Sequence, residues 1–139
     1  LMTVASFMVI DKYDEQEGPI HIDLEDDDKV IIRMSTSDYE KYNTEKGYKD
    51  MYPIFHSSIV FPALLHILYS MKNNSNLYES LAWLENLNYR LKNEEVFKKK
   101  NLSINNTNDI PKIAQLFLGN PVNRSLDSIR NIINEVEDN

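Results

Sequence analysis

The rhythm of apolar and polar residues changes about a quarter of the way along the chain. Ile20-His21-Ile22-Asp23-Leu24 alternates with period two, as a strand with one buried face must, and Lys29-Val30-Ile31-Ile32-Arg33-Met34 is dense in β-branched residues. The polar run Glu25-Asp26-Asp27-Asp28 between them predicts a hairpin, and Gly18-Pro19 is a turn signal ahead of its first strand. Thr3 to Ile10, apolar and β-branched, reads as a further strand.

From Ser37 onward the period becomes helical. Ser37 with Glu40 forms a capping-box pattern, and Gly47 is placed to end that helix in the left-handed conformation, giving a short surface helix with Tyr39 and Tyr42 on one face. Residues 53–72 are apolar on nearly every side, which predicts a core helix. Pro62 has no amide to give to the helical ladder, so the helix is expected to begin close to it, as a buried central element over about 61–72. The apolar run itself is read as too short for a bilayer span. Asn76 with Glu79 suggests a second capping box, opening a helix that carries Leu77, Leu81, Trp83, Leu84, Leu87 and Leu91 on one stripe.

Lys98 to Asp109 is polar and Asn-rich, a loop with Leu102 and Ile104 as anchors. Asp109, Pro111 and Gly119 then frame a short helix with Ile113, Leu116 and Phe117. A final helix, capped by Ser125, carries Leu126, Ile129, Ile133 and Val136 at three- and four-residue intervals. Such a stripe suits docking on the protein's own core or pairing with another chain. Strands first and helices after give an α+β fold: an N-terminal antiparallel hairpin or small sheet of about three strands, then four to five helices around the central one.

Composition narrows this picture. The 139 residues fit a single domain over 1–139, and 42% hydrophobic content supports a packed core. The opening Leu1-Met2 fits either an added residue or a domain cut from a longer protein, and LMTVASFMVI has no basic flank to make it a secretory signal. With no cysteine, disulfides, thiolate catalysis and Cys-based zinc sites drop out, and a cytoplasmic setting is expected. Four Asn-x-Ser/Thr sequons, at Asn73, Asn101, Asn105 and Asn123, are what 16 asparagines produce by chance.

A net charge of −7 argues against duplex nucleic acid as a partner, because phosphate binding rests on Lys and Arg. The charge is polarised, with eight acids and no Lys or Arg over residues 14–28, and Arg90, Lys92, Lys98, Lys99 and Lys100 against two acids over 90–100.

Candidate chemistry is sparse. Asp23, Asp26 and Asp28 in the acidic hairpin loop are the candidate metal ligands, since hard cations need clustered carboxylates; counted from Asp23, however, the EF-hand glycine and glutamate positions hold Asp28 and Met34. His21, His56 and His66 form no ligand pair, and His66 is expected to be a core histidine. His56 beside Ser57 and Ser58 lacks the grammar of an activated hydroxyl. Three glycines in no phosphate-binding arrangement exclude dinucleotide and P-loop cofactors, and no cofactor is expected.

These readings favour a non-catalytic protein-interaction or assembly module. Ile129, Arg130, Ile133 and Val136, together with Lys98, Lys99 and Lys100, are the expected contact residues for a protein partner or a second copy, with neither duplex nucleic acid nor membrane expected. A metal-dependent hydrolase or nuclease fragment using the acidic loop, and a small acidic inhibitor of a basic partner, are the alternatives.

Overall fold

A computed structural model describes residues 7–74 and 81–138. Its sheet has three strands, β1 (Met8–Lys12), β2 (His21–Asp23) and β3 (Val30–Met34), in the order β1-β3-β2. β2 and β3 form the expected antiparallel hairpin, with Ile22 opposite Ile32, while β1 lies parallel to β3 with Ile10 beside Ile32. One face is core. Val30, Ile32 and Met34 are buried along with Met8, whereas on the other face Arg33 bonds Asp23 at 3.2 Å and approaches Asp11 at 4.0 Å. The strand expected over 3–10 is described only from Phe7 onward, and its regular part is Met8–Lys12.

Helices follow: α1 (Thr36–Glu45), α2 (Met51–Phe55), a π turn (His56–Val60), α3 (Phe61–Asn73), α4 (Ala82–Asn93), α5 (Glu95–Lys99), a 3₁₀ turn (Thr107–Asp109), α6 (Ile110–Phe117) and α7 (Pro121–Asp138). The fold is thus α+β, with α3 where the central helix was expected.

Several boundaries differ from the sequence reading, each for a local reason. Ser35, not Ser37, caps α1, its hydroxyl accepting from the Asp38 amide at 3.2 Å; it stands where the chain leaves β3 still extended, the backbone an N-cap requires. Gly47 is not left-handed, because α1 closes at Lys46 in ordinary helical geometry. The proposed capping box at Asn76 and Glu79 lies outside the described residues.

Pro62 stands in the first turn of α3, where the helix was expected to begin. The π turn precedes it, with the Phe61 amide reaching the His56 carbonyl five residues back, and this widening accommodates a proline that cannot donate to the Ser58 carbonyl. The result is a continuous helix of 23 residues, Met51–Asn73, long and apolar enough by length and composition to cross a bilayer, which overturns the expectation of a stretch too short to do so. It is buried on one face only: Leu64, Ile67 and Leu68 are fully enclosed, while His66, expected in the core, is exposed.

The core joins both halves of the chain. Phe7, Val30 and Ile32 from the sheet enter one cluster with Leu64, Trp83 and Ile110 from the helices, and Leu102 and Ile104 anchor the 100–106 loop against it as expected. Phe117 meets Phe7 edge-on at 6.3 Å and Phe97 face-on at 5.9 Å, with the Arg90 guanidinium 4.1 Å above the Phe117 ring.

Candidate functional site

The last helix is positioned by a tight reversal. Gly119 (φ 70°) and Asn120 (φ 55°) are both left-handed, and Pro121 then opens α7, four residues before the expected cap at Ser125. Ser125 is instead inside the helix and buried. Arg124 locks the reversal, donating through Nε to the Gly119 carbonyl at 2.9 Å and through Nη2 to the Leu118 carbonyl at 2.7 Å, which satisfies the open end of α6. The same Nη2 lies 3.1 Å from His56 Nδ1 in the π turn. A guanidinium only donates, so Nδ1 is the acceptor and the imidazole hydrogen sits on Nε2. Burial, followed by the Arg124 charge, pushes the His56 pKa down to about 4, so the ring is neutral at pH 7.

α7 lies on α2 and the π turn through a stripe of small residues. Pro121, Ser125 and Ser128 are buried and Ile132 is half-buried, a 4-3-4 spacing, and Asn131 donates to Asp50 at 3.4 Å beside this contact. One position round the helix runs a second stripe at 4-3-4-3 spacing: Val122, Leu126, Ile129, Ile133 and Val136. All five are exposed, Leu126 by 61% and Val136 by 71%. The protein's own body is therefore met mainly by small side chains, with Ile132 the one large aliphatic among them, and water by the stripe of five large apolar ones.

Of the expected contact residues, Ile129, Arg130, Ile133 and Val136 all fall on exposed positions of α7, and Lys98, Lys99 and Lys100 are exposed at the end of α5 and just beyond it. These are separate elements, α5 adjoining α4 while α7 lies on α2. Val122 belongs to the stripe but precedes the helix start that Ser125 suggested. Arg124 offered no signal, since its three partners are set by the reversal and by a residue 68 positions away.

The acidic loop is organised around backbone. Asp23 accepts from the Glu25 amide at 3.0 Å and from Arg33, and those bonds, the amide first, hold its carboxyl below the usual range against partial desolvation. Asp26 accepts from the amides of Asp28 and Lys29 at 3.1 and 3.0 Å, and Asp28 is exposed. Among the described residues, no three His, Cys, Asp or Glu side chains gather as a metal site. The Asp27 carbonyl accepts from the amides of Ala82 and Trp83 at 3.0 and 3.3 Å, so the acidic run sits at the positive end of α4. Ser57 and Ser58 both donate to the Ile54 carbonyl, which occupies their hydroxyls within the helix.

A cavity of about 130 Å³ opens between the inner face of the sheet and the α1–α2 region. Met8, Ile10 and Ile32 form its floor, Tyr42 and Phe55 an aromatic corner with ring centres 5.2 Å apart, and His56, stacked on Tyr52 at 5.0 Å, another wall. Lys46 stands at its rim, 5.8 Å above the Tyr42 ring. Burial raises the Tyr42 phenol above its ordinary pKa, with Tyr39 adding to the effect, so it too is neutral at pH 7.

Compared with known protein families, with curated proteins and with solved structures, the chain gives no match.

Proposed function

We propose that this chain is a non-catalytic protein-interaction module whose contact element is α7, receiving an apolar helix stripe from a partner chain. The reading rests on the inverted pattern of α7, in which Ser125 and Ser128 face the protein's own body while Leu126, Ile129 and Ile133 face water. A helix serving only its own fold turns its large apolar residues inward. Burying such a side chain contributes roughly 1.5–3 kcal/mol, so the five stripe residues offer a drive large enough to set against the cost of association. Their 4-3-4-3 spacing is that of a helix-pair seam about 21 Å long, from Val122 to Val136. A cysteine-free chain suits such a role in a reducing compartment.

Photocrosslinking tests the contact directly. A benzophenone amino acid at Leu126 or Ile133, compared inside cells with the same label at exposed Tyr89 on α4, is expected to give one discrete adduct from the α7 positions alone. An adduct of two chains identifies self-pairing, and one of a different mass identifies a heterologous partner. No adduct, or the same ladder from Tyr89, overturns the proposal.

A further inference from the structure

Independently of α7, we infer that the cavity between the sheet and the α1–α2 region is a binding site for a small aromatic carboxylate of benzoate size. Its volume of about 130 Å³ is close to that of engineered apolar cavities that take up a single benzene ring. The floor is aliphatic, from Met8, Ile10 and Ile32, and the corner made by Tyr42 and Phe55 offers ring faces and edges against which a flat ring packs better than an aliphatic one.

Two polar groups then select among aromatic compounds. His56 is only 5% exposed, and with Nδ1 committed to Arg124 its remaining polar atom is the Nε2–H donor. Lys46 is the ammonium at the rim, free to swing from above the Tyr42 ring to an anionic substituent. A donor on the ring of His56, a residue lining the cavity, and a rim cation both favour an acceptor-bearing, negatively charged ligand, even though the protein as a whole carries a charge of −7. A phosphate ester is not favoured, because a single ammonium and a single N–H fall short of the cluster of donors that a doubly charged group requires.

The site is tested by following the methyl NMR signals of Met8, Ile10, Ile32 and Val60 while benzoate or uncharged benzyl alcohol is added at low salt. Saturable shifts confined to these methyls are expected, with benzoate binding roughly threefold or more tightly, the range of a partly exposed ion pair. Lys46→Gln, at an exposed position, should bring benzoate down to the level of benzyl alcohol. Val60→Trp should fill the space and abolish the shifts from both compounds, with the dispersion of the remaining signals reporting that the variant is folded. Unsaturable shifts, equal affinity of the two compounds for the unaltered protein, or benzoate binding unchanged by Lys46→Gln overturns the inference.

Discussion

His56 shows how far one residue's chemistry is set by what surrounds it. As a free imidazole it would be half-charged near pH 6.5, but here it is stacked on Tyr52, enclosed, and faced by a permanent cation, and its pKa falls to about 4. Between those two values the unfolded chain takes up a proton that the folded chain refuses. Stability contributed by the neutral ring is therefore complete above about pH 6.5 and is lost as the pH falls towards 4, by about 3 kcal/mol in all. Urea unfolding between pH 7 and 4 should show this slope, and His56→Gln, which keeps an acceptor for Arg124, should flatten it. The depressed Asp23 carboxyl adds its own loss only at more acidic pH, as it is protonated below the usual carboxylate range, so the two effects separate. A ring-proton titration of His56 centred above pH 6 would refute this account.

The elements were legible in the sequence to the degree that their signals were local. The alternation of Ile20 to Leu24 and the apolar density of Val30 to Met34 gave the hairpin, because period two admits one buried face and the acidic run supplies the turn. That β1 joins the same sheet in parallel was not legible, since side-chain alternation marks the buried face of β3 but not which strand takes its free backbone edge. Pro62 was legible as the start of α3, but the π turn that joins it to α2 was not, because the rule for proline in a helix assumes a regular ladder. The apolar stripe of α7 was legible as a stripe, but spacing cannot say which way it faces. That orientation is fixed by the turn at Gly119 and Asn120 and by Arg124, none of which carries a periodic signal. The direction has a consequence for stability. Leu126→Lys and Ile133→Lys on the isolated protein are expected to change unfolding free energy by no more than about 0.5 kcal/mol, whereas a helix packed by that stripe would lose several times as much. Chemical denaturation of the two variants distinguishes the cases, and a loss above about 2 kcal/mol would place the stripe against the body.

At the scale of the whole molecule, the N-terminal sheet and the helices that follow are tied by the shared core, by the Thr36 and Ser37 amides of α1 donating to the Glu15 and Gln16 carbonyls, and by the acidic hairpin tip set against the start of α4. The tip looked in the sequence like a cation site or a solvated turn. Its geometry gives the charges something else to do, because α4 begins with amides that its own ladder leaves open, the Asp27 carbonyl takes two of them, and the surrounding carboxylates lie near the positive end of the helix dipole. Asp26 separates the two accounts. Its Oδ2 accepts from two amides of the loop, a task that an asparagine carbonyl oxygen also performs, so Asp26→Asn removes charge while keeping the turn. If the charge acts on the helix, the variant should be less stable by about 0.3–1 kcal/mol at low ionic strength, and the difference should shrink on adding sodium chloride. Magnesium or calcium at equal ionic strength should then do no more than sodium. If millimolar Ca²⁺ instead raises the melting temperature of the unaltered protein but not of Asp26→Asn, a bound cation rather than the dipole of α4 accounts for the acidic loop.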